Sequence, residues 1–179
     1  MIYLVRHGEA AASWGAHPDP GLSETGKAQA NSAAITLSDL GITHAFSSPM
    51  QRCQETGAAY AERSKLALTR EPDVTEIPTP SDIEDRVTWL RGLMGGSWAD
   101  APDIVQSWHS KLLSRIQELP EHSVVFTHFV AINAIVGHLE DNDAVTVFRP
   151  NYCSITKLDN SGGNLVLVER GQSLETKVL

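Results

Sequence analysis

Cysteine is scarce in this chain, basic residues are outnumbered, and no apolar run is long. The two cysteines, Cys53 and Cys153, lie far apart and form no CxxC pair. That argues against a disulfide scaffold and for a reducing, intracellular setting. Lys and Arg number 14 against 22 Asp and Glu, a formal charge of −8. A surface of that sign repels polyanions, so no nucleic-acid partner is expected, and any anion site must be a local positive pocket. No stretch approaches the roughly 20 apolar residues of a membrane span, so no membrane partner is expected either. A candidate active-site motif beginning at residue 6 leaves no room for a cleavable leader, and the expected location is cytoplasmic. What remains is an ordinary globular composition, 41% hydrophobic and 20% charged over 179 residues, which predicts a single domain over residues 1–179.

Against this plain background the first residues stand out. Ile2, Tyr3, Leu4 and Val5 read as a buried strand, and Arg6, His7 and Gly8 fall where that strand must turn. In open α/β sheets, ligands bind just outside the carboxyl ends of strands. A guanidinium, an imidazole and a glycine that allows close backbone approach are therefore placed in such a crevice.

Downstream, residues 10–21 are small and Pro/Gly-bearing, a loop. Ser23 opens a helix with Ala30, Ala33, Leu37 and Leu40 at helical spacing, stopped by Gly41. Residues 44–47 read as a strand. Ser48-Pro49-Met50-Gln51 reads as a capping box opening a helix to about Arg63, and residues 66–69 as a short strand. Pro72, Pro78 and Pro80 make residues 71–80 irregular. A second capping box, Ser81-Asp82-Ile83-Glu84, predicts a helix with Ile83, Val87, Leu90 and Met94 on one face, ended by Gly95-Gly96. Val105, Trp108, Leu112, Ile116 and Leu119 mark the inner face of the next helix, stopped by Pro120. Residues 123–127 form the clearest interior strand and run into a helix bearing Ile132, Ile135, Val136 and Leu139. Residues 155–158 and 165–168 read as a hairpin. The alternation predicts an α/β three-layer sandwich, with a mostly parallel central sheet, helices on both faces and an antiparallel edge hairpin. Residues 71–100 are expected as an insertion over the active-site edge.

Three strand-to-helix junctions carry polar groups that an apolar core has no use for: Arg6-His7-Gly8, Ser47 to Arg52, and Thr127-His128. On one edge of a parallel sheet they would bring two arginines and two histidines together, beside helix N-termini. Two guanidiniums can grip the oxygens of a tetrahedral phosphoryl group. At about 4 Å and an effective dielectric near 20, each charge pair is worth roughly 4 kcal/mol before desolvation. That is enough to seat a phosphate in an acidic protein.

Four blocks in this order, Leu4 to Glu9, Gly21 to Ala30, Ser47 to Thr56 and Val124 to His128, resemble the histidine phosphatase superfamily, most closely its phosphoglycerate mutase-like branch. The resemblance implies that His7 is a nucleophile forming a phosphohistidine. It implies that Arg6, Arg52 and His128 hold the phosphoryl oxygens, with Gly8 and Ser13 beside them. Glu76 is the matching general acid, with Asp73 and Asp82 as rivals. No cofactor is implied, and no histidine-carboxylate cluster has metal spacing. Substrates would be phosphorylated small molecules or phosphoproteins; nothing fixes the oligomeric state.

Departures from the mutase pattern tilt the expectation toward hydrolysis. Ala10, Ala11 and Ala12 follow Glu9 where mutases show a polar residue, and Ser13 takes the place of an asparagine. Phe129 replaces a glycine, which should narrow the pocket or make it more apolar. The basic and aromatic substrate loops of mutases are missing. The expected activity is thus a metal-independent phosphatase, with a cofactor-dependent mutase or a non-catalytic phospho-ligand binding domain as alternatives. Trp89, Trp98 and Trp108 read as packing residues, Arg86 and Arg91 as a solvated face, and His17, His44, His109, His122 and His138 carry no matched role.

Overall fold

A computed structural model describes residues 1–13 and 16–173. Its strands are β1 (Ile2–Arg6), β2 (His44–Ser47), β3 (Leu68–Arg70), β4 (Ser123–Thr127), β5 (Ile155–Asp159) and β6 (Val166–Glu169). Its helices are α1 (Glu24–Leu37), α2 (Gln51–Ser64), α3 (Arg86–Met94), α4 (Asp103–Glu118) and α5 (Phe129–Leu139). The six strands form one sheet in the order β3-β2-β4-β1-β5-β6. The first four run parallel; β5 and β6 add an antiparallel edge.

Alternate side chains of the central strands go to opposite layers, as the period of a strand requires. Tyr3, Val5, Ala45, Val124 and Phe126 join Leu37 of α1 and Tyr60 of α2 in one core. Ile2, Leu4, Phe46 and Val125 join Leu112 and Ile116 of α4 and Ile132 and Ile135 of α5 in the other. The three-layer sandwich and the edge hairpin are as the sequence implied. Leu4, Leu37, Leu112 and Ile116 are all fully buried, each contributing about 1.5–3 kcal/mol of apolar transfer.

Several boundaries moved, each for a local reason. Ser23 does cap α1, accepting from Gly26 N. The helix ends at Leu37, however, three residues before Leu40, and Gly41 takes a positive φ in the following turn. β3 starts at Leu68 because its parallel register on β2 pairs Ala45 with Leu68. β6 starts at Val166, beside a register shift between Lys157 and Leu158.

Both predicted capping boxes fail. Met50, not Ser48, is the N-cap of α2 and gives no side-chain cap, because the Ser48 hydroxyl has gone elsewhere. Ser81 and Asp82 lie in a turn closed by Ile83 N to Pro80 O, 3.2 Å. The helix begins only at Arg86, with the Asp85 carboxylate accepting from Thr88 N at 3.1 Å. Ile83 therefore lies outside the helix, while Leu90 is its fully buried contact.

Candidate active site

The parallel strands end level with one another, since Arg6 pairs with Thr127 and Ser47 with Phe126. Backbone bonds carry the alignment one residue further. His7 N donates to Thr127 O, Ser48 N to Phe126 O, and Glu71 N to Ser47 O. Connections leaving the neighbouring strands β2 and β4 depart toward opposite edges of the sheet, which opens a crevice at their carboxyl ends. His7, Ser48 and His128 enter it from three strand ends, and Arg52 from the first turn of α2.

These groups touch. Arg52 Nε lies 3.2 Å from His7 Nε2. Its Nη2 lies 3.2 Å from Glu76 Oε2 and 3.2 Å from His128 Nδ1. Glu76 Oε2 is 3.4 Å from His128 Nδ1, and the two imidazoles meet edge to face at 5.4 Å. Arg6, His7, Arg52 and His128 are all buried, and the Glu76 side chain is 9% exposed.

His7 is oriented by its own backbone. Nδ1 lies 2.8 Å from Gly8 O; a carbonyl can only accept, so Nδ1 carries the proton and Nε2 is left with a lone pair. Burial, with His128, Arg52 and Arg6 around it, holds the His7 pKa well below its ordinary value. The imidazole is neutral. Burial would by itself raise the Glu76 carboxyl, but His128 and Arg52, with His7, overcome it and keep it far below the usual carboxylate range. The resting site thus pairs ionised Glu76 with Arg52.

Arg6 is held by stacking as much as by hydrogen bonds. Its guanidinium lies 4.0 Å over the Tyr152 ring and 5.3 Å from the Phe129 ring, contacts favourable for a planar cation. Nη1 donates to Pro150 O at 2.9 Å, while the buried Nε has no partner among the described residues. Phe129 is 4% exposed and packs under Arg6. It forms an apolar floor for the cation.

Two predicted phosphate contacts sit differently. The Gly8 amide donates to Thr56 Oγ1 at 3.0 Å. A Cβ on Gly8 would stand 2.6 Å from Gly26 O, and one on Gly26 2.1 Å from Glu9 O. Glycine is required here so that the strand end can lie against the start of α1, a backbone approach rather than a ligand approach. Ser13 is exposed, its carbonyl accepting from Ala16 N; no described contact ties its side chain to the cluster. Of the three carboxylates proposed as acid, Glu76 alone meets Arg52 and His128. Asp73 lines a shallow groove with Lys111 and Arg115 of α4, and Asp82 is exposed.

Four residues of the site escaped the sequence reading. Thr56 receives Gly8 N and stands one helical turn from Arg52, a spacing that the sequence did offer. Asp19 caps α2 by accepting from Gln51 N at 2.8 Å and lies 3.9 Å from Arg52 Nη1. Tyr152 stacks on Arg6, and Ser48 Oγ is 2.8 Å from His128 Nε2. The three tryptophans pack as expected. Trp98 and Trp108 are buried, and Trp108 Nε1 donates to Thr75 O beside Glu76. Arg86 is half-buried, with Nε on Thr79 Oγ1 at 2.7 Å. Among the described residues, no group of three or more His, Cys, Asp or Glu is placed to hold a metal ion. Nor is any helix long and apolar enough to cross a membrane.

Residues 2–172 match the family model of the histidine phosphatase superfamily (branch 1). An uncharacterised protein of Mycobacterium tuberculosis is 42% identical over 116 residues, covering 56% of this chain and 57% of that one. The chain thus spans little more than half the length of that relative. A protein of Escherichia fergusonii described as a probable phosphoglycerate mutase is 27% identical over 184 residues, covering 89% and 84%. Among solved structures, a mycobacterial glucosyl-3-phosphoglycerate phosphatase shares the fold. Its TM-score is 0.73 at 19% identity, with 96% of this chain and 98% of that one covered.

Proposed function

The chain belongs to the histidine phosphatase superfamily, and from that premise we propose that it is a metal-independent phosphatase working through a phosphohistidine on His7. One observation carries the reading. His7 is a buried, neutral imidazole whose Nδ1 is tied to Gly8 O, so that Nε2 offers a lone pair beside the Arg52 guanidinium.

In the first step Nε2 attacks phosphorus and the bond to the ester oxygen breaks, leaving the phosphoryl group on His7. Arg6, Arg52 and His128 take the charge that develops on the equatorial oxygens. The leaving alcohol needs a proton, and Glu76 is ionised at rest. A phosphoryl dianion that draws Arg52 and His128 to itself removes the two partners holding the Glu76 pKa down, so the carboxyl takes up a proton on binding. It then passes that proton to the ester oxygen. In the second step the same carboxylate accepts a proton from water, whose oxygen attacks phosphorus and releases inorganic phosphate and neutral His7. The substrate is a phosphomonoester or a phosphohistidine, carried by a small molecule or by a protein.

The test is a panel of phosphorylated metabolites and phosphoproteins assayed without added metal. It is run alongside trapping of an acid-labile, base-stable phosphoenzyme in the unaltered protein and in His7→Ala. Turnover and phosphoenzyme must both vanish in the variant; undiminished activity there overturns the mechanism, and phosphate binding with no phosphoenzyme in the unaltered protein points to a binding domain. For Glu76→Gln the expected result is a turnover loss of about 10²–10⁴-fold and removal of one limb of the pH–rate profile. An unchanged profile gives the acid role to water or another carboxylate. The likeness to a protein described as a probable phosphoglycerate mutase supports a second reading, isomerisation dependent on a bisphosphoglycerate. It fails if active protein shows none.

A further inference from the structure

Ser48 was expected to cap α2 and does not. Its backbone is fixed, with N on Phe126 O at 3.0 Å and O accepting from Gln54 Nε2 at 2.7 Å. The side chain is fully buried and reaches across to the next strand end, 2.8 Å from His128 Nε2. We propose that Ser48 is a positioning residue that fixes the tautomer of His128, leaving Nε2 bare and Nδ1 protonated, so that an N–H points into the phosphoryl site.

The argument rests on what each atom can do. A serine hydroxyl has one proton to give and lone pairs to receive. Ser48 Oγ already receives Met50 N at 3.3 Å. A buried hydroxyl seeks an acceptor for its proton, and the strongest one in reach is His128 Nε2. The Cys53 sulfur, 3.5 Å from that nitrogen and 3.5 Å from Thr127 O, is a weak partner in either role. If Nε2 carried the proton, the Ser48 hydroxyl would lose its only strong acceptor among the described residues.

The other nitrogen points the same way. Nδ1 faces Glu76 Oε2 at 3.4 Å; a carboxylate oxygen repels a lone pair and attracts an N–H. One contact opposes this, Arg52 Nη2 at 3.2 Å from Nδ1. Two donors would then face each other, but Nη2 has Glu76 Oε2 at 3.2 Å as an alternative acceptor. Both N–H groups therefore converge on one carboxylate oxygen. When a phosphoryl oxygen replaces that carboxylate, it meets the same two donors already aimed. With the opposite tautomer it would meet a lone pair.

The assignment of the tautomer stands apart from the proposed reaction; only its kinetic consequence rests on the phosphatase reading. The experiment is nitrogen NMR of the full-length protein labelled at histidine, with His128→Gln identifying the His128 signals. The expected spectrum of the unaltered protein has Nδ1 in the protonated range and Nε2 in the unprotonated range. The reverse pattern overturns the proposal whether or not the protein turns over any substrate. In Ser48→Ala the His128 signals should move toward a mixture of tautomers, and turnover should fall about tenfold, one hydrogen bond's worth. Ser48→Thr, which keeps the hydroxyl, should restore the single tautomer. Unmoved nitrogen shifts in folded Ser48→Ala also overturn it, since a merely structural serine would leave them in place.

Discussion

The carboxyl ends of β1, β2 and β4 and the β5–β6 hairpin sort their residues in opposite ways. At the strand ends Arg6, His7, Ser48, Arg52, Thr127 and His128 are buried. On the hairpin Val166 and Val168 are 57% and 53% exposed. Most folds put charge outside and valine inside. Burying a charge costs several kcal/mol unless partners replace its water. At the strand ends Arg52 meets His7, Glu76 and His128, and Arg6 meets Pro150 O and two aromatic rings. The hairpin asks nothing comparable of its surroundings. The inversion separates a region whose polar groups are committed to one another from one that merely closes the sheet.

The comparison can be broken or sharpened by substitution. His7→Ala should have the largest effect, a loss of turnover on the order of 10⁴-fold or more, with folding retained by circular dichroism. Arg52→Ala comes next. It removes the group that contacts His7, Glu76 and His128, so turnover should fall about 10²–10³-fold, and phosphate should no longer protect the protein against heat. In the core beneath the site, Leu4→Ala should cost about 2–5 kcal/mol of stability in denaturant titration, yet leave the pH–rate profile of the folded protein unchanged.

Acid should distinguish the two regions as well. His7 and His128 are held below the ordinary histidine value, chiefly by burial. Below about pH 6.5 the unfolded chain binds protons that the folded site refuses, so stability falls as pH drops, by up to about 1.4 kcal/mol per unit for each histidine. Glu76 is depressed. Its contribution is present above the ordinary carboxylate range and is lost at lower pH, as the pH falls toward the folded value. His7→Gln should flatten the first part of the melting-temperature curve. The smallest effect belongs to the hairpin: Val166→Thr and Val168→Thr should stay within about 0.5 kcal/mol of the unaltered protein. A larger loss would show that the exposed edge is covered in solution.

Arg6, His7, Arg52 and His128 stand out in the sequence because each lies at or just past a strand end, where local pattern marks the edge of the sheet. Arg6 ends β1 and His7 follows it, His128 follows β4, and Arg52 lies in the first turn of the helix after β2. Their partners were hidden because they depend on strand order, which no local window contains. Tyr152 reaches Arg6 only because β5 lies beside β1, and Asp19 reaches α2 only because the loop folds back. The two failed capping boxes share one cause. A short polar side chain makes few hydrogen bonds, and the fold can offer it something better than its own helix. Ser48 met an imidazole, while Ser81 followed two prolines into a turn that left the capping to Asp85. The sequence offers Gly8 as a place where backbone approaches a ligand, whereas what lies against it is the start of α1.

That Gly8–Gly26 contact has an engineering consequence. Around it, Ser23 N binds Glu9 O, Ala11 N binds Gly21 O, and Ala10 bridges Leu22. The chain leaving His7 is therefore clamped to the chain entering α1, which fixes the two ends of the span between them. Lengthening such a span is cheap, about 0.6 kcal/mol for each doubling of a flexible loop. The clamp insulates His7 from whatever is inserted. Residues inserted just after Ala11 should therefore leave the His7 imidazole in place, provided that Asp19, which caps α2 and faces Arg52, is kept.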